Sequence, residues 1–244
     1  MKHWTRRDLT ILPLDEADCL VLACDSVAGV GNKEFDSFHC DPFFVGKFAA
    51  RVALMEVLSA GADPVALING TACEMHPSGA RILDGVQAEL KQAALADIAL
   101  TGSTEENFFS KMTALTVTVI GRVAQEKLKF ASAQAQDKIL LFGRPRVGEE
   151  VALLDPGLYA EIAYLRETTG VREIVPVGSK GIAYEALTFT HGLDLQLAFH
   201  ECGVDYQKSA GPATCLLALC QAESAAEICA RWDEARIVAS VLAL

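Results

Sequence analysis

The 244-residue chain lacks most of the patterns that assign a function directly. No run approaches the roughly 18 consecutive apolar residues of a membrane span. The basic start, Lys2 to Arg7, is followed by no long apolar stretch, so no signal-peptide pattern appears and the expected location is cytoplasmic. Lys and Arg are outnumbered, 21 against 32 acidic residues, for a net charge of −11. That balance argues against broad binding to nucleic acid or anionic membranes. Eight cysteines form no C-x-x-C pair, and several, such as Cys215 and Cys220, sit in apolar runs. Buried reduced thiols are expected, with no disulfide framework and no zinc site. The chain has no P-loop, no G-x-G-x-x-G after a strand, no G-x-S-x-G and no H-E-x-x-H.

What is present is a globular composition, 51% apolar and 22% charged. The length fits one large domain or two of roughly 100–150 residues. Strand and helix patterns interleave. Buried strands are expected at 19–24 and 138–142, and strict alternation marks 115–119 and 193–199 as further strands. The stretch 43–60 reads as a helix stopped by Gly61. Ser78 is positioned to cap a helix bearing Ile82, Val86 and Leu90. The polar stretch 125–137 is the expected boundary, giving domains 1–133 and 134–244. The expected class is α/β (α+β), with two α/β halves.

Candidate chemistry lies at strand ends and small-residue loops. Asp25 follows the strand 19–24 and precedes a glycine-containing segment that ends in Lys33. A carboxylate there suits a hard cation such as Mg²⁺, and Lys33 suits phosphate oxygens; an ordinary Asp-Ser turn is the alternative. Glu56 sits inside an apolar helix and must reach solvent, a partner or a metal. Lys47 and Arg51 share one face of that helix and read as a solvated stripe. Gly102, Ser103 and Thr104, followed by Glu105 and Glu106, suit a ligand that approaches the backbone, or else a helix cap. Ser179-Lys180-Gly181 and Ser209-Ala210-Gly211 form two strand-to-helix or turn loops, either anion-binding or simply turns.

Taken in order, these segments resemble the aminoimidazole ribonucleotide synthetase superfamily, which includes thiamine-monophosphate kinase, selenophosphate synthetase and a hydrogenase maturation protein. Asp25–Lys33 is similar to the family's D-G-V-G-T-K segment. Residues 46–64 are similar to its helix ending N-D-[IL]-x-x-x-G-A-x-P, with Glu56 at the Asp position. Residues 101–106 are similar to G-G-[DE]-T-A-E, with Ser103 at the acidic position. The resemblance is nearest to α-ribazole kinase through residues 7–14, 102–108, 175–182 and 209–215.

The resemblance implies an ATP- and Mg²⁺-dependent kinase acting on a small molecule, α-ribazole, in cobamide lower-ligand salvage. It implies a homodimer in which the N-terminal domains close a β-barrel between subunits. Asp25, Glu56 and Glu106 are assigned to Mg²⁺. Lys33, Gly102, Ser103, Thr104, Ser179, Lys180, Gly181, Ser209 and Gly211 are assigned to ATP or its acceptor. No general base is assigned. Another acceptor, thiamine monophosphate or an amide activated as in the ligase members, is the alternative within the superfamily. A nucleotide-binding relic without catalysis is the alternative outside enzymes.

Overall fold

The computed structural model describes residues 3–151 and 157–244. Two compact units emerge, one taking the chain up to Leu58 with Ala62–Lys127, the other Ser59–Gly61 with Leu128–Leu244. The division at 127/128 falls inside the polar stretch 125–137. No helix among the described residues is long and apolar enough to cross a membrane.

In the first unit the elements run β1 (Trp4–Arg6), β2 (Leu9–Pro13), β3 (Asp18–Ala28), β4 (Val30–Gly31), β5 (Phe38–His39), α1 (Pro42–Ser59), β6 (Asp63–Thr71), α2 (Ala80–Gln92), β7 (Ala99–Thr104) and β8 (Ala114–Ala124). The main sheet has the order β1-β2-β3-β8-β6-β7. Its neighbours are antiparallel except β6 and β7, which run parallel. Period-two alternation places Cys19, Val21 and Ala23 of β3 beside Val119, Val123 and Leu67 on one buried face. Helix α1 lies on that face: a side chain at Gly121 would meet Val57 Cγ1 at 2.4 Å.

Helices α1 and α2 touch backbone to backbone. A Cβ at Gly46 would stand 2.0 Å from the Ile82 carbonyl oxygen, and one at Gly85 would stand 1.9 Å from that of Phe43. Only glycine permits this approach. Gly61 has φ +90°, and the Ala62 N–H donates to the Val57 carbonyl, so the helix ends on glycine as its sequence predicts.

The sheet's opposite face carries the rows Thr10–Leu22–Ile120–Ala66 and Cys24–Thr118–Ile68–Thr101. These residues are half-buried or exposed. The sheet is open, with β1 and β7 at its edges, so one chain forms no closed barrel.

The second unit runs β9 (Lys138–Gly143), α3 (Tyr159–Glu167), β10 (Val171–Pro176), α4 (Gly181–Thr188), β11 (Leu195–Phe199), β12 (Cys215–Cys220), α5 (Ala222–Arg231) and β13 (Arg236–Ala243). Its antiparallel sheet has the order β10-β12-β9-β13-β11. All six residues of β12 are buried, as a continuous apolar run in a central strand requires. Ile139, Leu141 and Leu217 pack with Ile182 and Ala186 of α4. Phe142 meets Trp232 edge-on, ring centroids 6.3 Å apart. The cysteines are all free thiols, and burial pushes Cys215 and Cys220 up to about 12.

Several expectations are corrected. Strand β3 continues to Ala28, so Asp25 lies within it, held by pairing with β8 down to Ala114. Residues 102–104 are strand too, paired in parallel with 69–71; they cap no helix. Ser78 sits in a π-turn, Met75–Gly79, and α2 starts only at Ala80. The β1–β2 hairpin carried no pattern that marked it in the sequence. Lys47 and Arg51 are not a solvated stripe: both are buried and both ion-pair with Glu89, at 2.6 and 2.8 Å.

Candidate functional site

The register of the first sheet sets out one end of the site. Asp25 stands opposite Val117, Val117 opposite Asn69, and Asn69 opposite Gly102. These four share the helix-covered face, one row beyond the buried row of Ala23. Asp25 is therefore partly withdrawn from water, and burial pushes its carboxyl up to about 6. The Ser26 backbone N–H alone works against that rise, and no cation contributes. Gly102 has no room for a side chain, since its Cβ would stand 2.1 Å from the Asn69 carbonyl oxygen.

The segment after β3 is organised by Asp36. Its carboxylate accepts from the Lys33 N–H at 2.8 Å, the Thr113 N–H at 2.8 Å and the Thr113 hydroxyl at 2.7 Å. Burial works to raise the Asp36 pKa, but these hydrogen bonds outweigh it and hold the group ionised below its ordinary value. Gly31 must be glycine here: a Cβ would stand 2.2 Å from Thr113 Oγ1.

That turn aims Lys33 at Glu74. The ammonium lies 2.6 Å from Glu74 Oε2, donates to the Ser110 carbonyl at 2.9 Å, and sits 5.2 Å from the Phe109 ring centroid. Ser78 Oγ donates to the other Glu74 oxygen at 2.6 Å. Burial opposes ionisation of Glu74, but the Lys33 and Ser78 hydrogen bonds prevail and lower its pKa.

The neighbouring Met75 N–H donates to Glu106 Oε1 at 2.7 Å, and the Thr104 hydroxyl donates to the same oxygen at 2.8 Å. Both bonds lower the Glu106 pKa. Thr104 also touches the π-turn, since a Cβ on Gly79 would stand 3.1 Å from its methyl. The structure thus gathers Lys33, Thr104 and Glu106 around the Glu74–Ser78 turn.

Glu56 is elsewhere engaged. It accepts a 3.4 Å ion pair from Arg7, and its side chain is only 13% exposed, so it does not face solvent. Among the described residues, no three His, Cys, Asp or Glu side chains are grouped to hold a metal ion. Asp25, Glu56 and Glu106 therefore do not form a three-carboxylate metal group.

In the second unit the two loops lie side by side. The Ala210 N–H donates to the Gly178 carbonyl at 3.1 Å. Gly181 has φ +81°, and a Cβ there would meet the Gln207 and Lys208 carbonyl oxygens at 2.9 Å. Ser209 Oγ accepts from the Gly211 N–H at 3.4 Å. Lys180 leans on Tyr184, donating to its hydroxyl at 3.1 Å with the ammonium 4.2 Å from the ring centroid. Lys208 pairs with Glu150 at 2.6 Å.

Comparison with known proteins follows the same division. Residues 6–123 match the family model described as AIR synthase related protein, N-terminal domain. Over that stretch the chain matches the AIR synthase-related family. No curated protein matches the sequence. Among solved structures, PurL of Thermotoga maritima complexed with ATP superposes with a TM-score of 0.76 at 15% identity, over 96% of this chain and 42% of the PurL chain. The hydrogenase maturation protein HypE of E. coli superposes with a TM-score of 0.68 at 18% identity, over 91% of this chain and 80% of its own. The chain thus spans less than half the length of the PurL structures it matches. At these identities the likeness is one of fold alone.

The sequence marked Ser78 only as a helix cap and did not single out Glu74 or Asp36. Their partners stand far away along the chain: Glu74 meets Lys33 across 41 positions, and Asp36 meets Thr113 across 77. The only local signal was a Glu beside a turn.

Proposed function

We propose that this protein transfers the γ-phosphoryl group of ATP to the ribose 5′-hydroxyl of α-ribazole. The observation that carries the ATP-dependent part is the whole-chain likeness to PurL, a fold solved with ATP, combined with a matching N-terminal domain in residues 6–123. Lys33 stands on a loop of that domain, its ammonium 2.6 Å from the Glu74 carboxylate. The acceptor rests on the sequence resemblance over residues 7–14, 102–108, 175–182 and 209–215.

In such a reaction the acceptor oxygen forms a bond to the γ-phosphorus, the bond to the β-phosphate oxygen breaks, ADP leaves, and the hydroxyl proton is released. Positioning and charge neutralisation dominate. Lys33 exchanges Glu74 for phosphate oxygens and lowers the repulsion on an approaching nucleophile. Asp25 fits a divalent cation by its chemistry: it is a desolvated carboxylate whose ionisation no cation now favours. Asp25 would hold such a cation, which when bound would neutralise phosphate charge. Glu106 and Glu56 do not join Asp25 in a three-carboxylate group among the described residues, and Glu56 is paired with Arg7. Ser103 and Thr104 line the approach along β7. The open face of the first sheet joins a second copy in this reading.

The test is ADP formation by purified protein with Mg-ATP and α-ribazole, against thiamine monophosphate and a control without acceptor. ADP that appears only with α-ribazole, matched by α-ribazole 5′-phosphate, is the expected result. ADP formed only with thiamine monophosphate moves the acceptor. A folded protein that binds ATP without turnover on any acceptor removes the kinase reading.

A further inference from the structure

The chain between β7 and β8 carries the two most exposed aromatic rings among the described residues, Phe108 at 80% and Phe109 at 82%. Rings of this size bury well over half their surface in most proteins, because each carries a large apolar area. Here the backbone is tied down while the rings are left in water. Glu105 Oε1 accepts from the Asn107 N–H at 2.7 Å and the Phe108 N–H at 3.1 Å. Lys33 holds the Ser110 carbonyl at 2.9 Å, and Ser110 Oγ donates to the Met112 carbonyl at 2.5 Å. One face of Phe109 looks toward the Lys33 ammonium, 5.2 Å from its centroid. A second lysine, Lys111, lies 4.8 Å from the neighbouring Phe35 ring.

We propose that Phe108 and Phe109 form a stacking surface for the planar heterocyclic base of a phosphate-bearing or phosphate-accepting substrate, with the end that carries or accepts the phosphate toward Lys33. This rests on the phosphoryl-transfer reading and adds the part of the site that reads the base. The argument is one of mixed chemistry in a small space. Aromatic faces take any planar base, while the adjoining ammonium takes an anionic oxygen. An apolar protein face would instead have to desolvate Lys33, Lys111, Glu105 and Glu106 beside the rings. Two substrates share this chemistry, the adenine of ATP and the benzimidazole of α-ribazole.

The experiment is isothermal titration of Mg-ATP, Mg-triphosphate and α-ribazole into the full chain. It compares wild type, Phe108→Ala/Phe109→Ala and Phe108→Leu/Phe109→Leu, with molar mass measured for each. Both rings are at the surface, so the variants are expected to fold. The Ala pair should weaken one base-bearing ligand by 10-fold or more while leaving triphosphate within about 2-fold, as loss of one stacked base predicts. The Leu pair, apolar but not planar, should recover only part of that loss. Loss for ATP places adenine on the rings; loss for α-ribazole places the benzimidazole there. Unchanged affinity for both ligands overturns the stacking surface alone. A lower molar mass in the variants also overturns it, assigning the rings to a contact between copies. A wild type that binds neither ligand overturns this inference and the phosphoryl-transfer reading together.

Discussion

Replacing Asp25 by Asn should stabilise the folded protein at neutral pH and abolish its activity. Burial pushes the Asp25 carboxyl from 3.8 up to about 6. The folded chain therefore holds a proton that the unfolded chain has already lost between those pH values. Stability must fall as pH rises through that window, because the native state binds more protons there. A shift of about 2 units corresponds to about 3 kcal/mol at full weight. Asp25 keeps some exposure to water, so screening brings the expected penalty to about 1–2 kcal/mol. Asn fills the same space without the charge. Thermal melts of wild type and Asp25→Asn at pH 3.5, 5, 6.5 and 8 should coincide at the lowest pH and separate as pH rises. By pH 8 the variant should melt about 2–8 °C higher.

Adding Mg²⁺ at pH 8 should narrow that gap by stabilising wild type alone, since a cation bound only to the folded state adds stability by mass action. ADP release by the variant should be absent although its fold is more stable. A gap that does not change with pH, or a variant less stable than wild type at pH 8, would refute the reasoning. Near-normal turnover in Asp25→Asn would remove the cation role even if the melts behaved as expected.

Other perturbations test other parts of the molecule. Glu89→Ala removes the carboxylate shared by the wholly buried Arg51 and by Lys47, and should cost about 3–5 kcal/mol by chemical denaturation; a cost below about 1 kcal/mol would show that the two cations are held by their other partners. Gly85→Ala places a methyl 1.9 Å from the Phe43 carbonyl oxygen and should lower stability by about 1–3 kcal/mol, opposite in sign to the roughly 1 kcal/mol gain alanine brings to an unobstructed helix. Ile68→Lys on the open face of the first sheet should leave the melt nearly unchanged and reduce the molar mass from a dimer to a monomer in light scattering; a monomeric wild type would exclude pairing through that face.

The architecture was legible wherever one residue pattern was answered by its own neighbours. Strict alternation from Leu115 to Val119 became β8, and the unbroken apolar run at Cys215–Cys220 became a central strand buried on both faces. The helix over residues 43–60 declared itself by composition and by its closing glycine. Legibility failed where pairing overrode local signals. The run Asp25-Ser26 followed by glycines has turn chemistry, yet β8 supplies hydrogen-bond partners along its whole length and keeps the strand extended to Ala28. The short strand Trp4–Arg6 is mostly exposed and owes its existence to β2, so no apolar period marks it.

The site was legible in a different way. Residue types offered Lys33 and the 102–106 segment with plain turn or cap alternatives, the superfamily resemblance assigned Lys33, Thr104 and Glu106, and the fold brings these three to one turn. What a chain cannot display is which charges are already spent. Glu56 resembles a metal ligand in sequence but meets Arg7, and Lys47 and Arg51 resemble a solvated stripe but share Glu89. Lys33 itself already donates to Glu74 and Ser110, with the Phe109 ring centroid 5.2 Å away. In the phosphoryl-transfer reading, phosphate competes with an existing ion pair, and Glu74 sets how strongly. Glu74→Gln should tighten Mg-triphosphate binding several-fold by freeing the ammonium, provided Ser78 still holds the turn. Weaker binding in that variant would mean that Glu74 orients Lys33 for phosphate and does not compete for it.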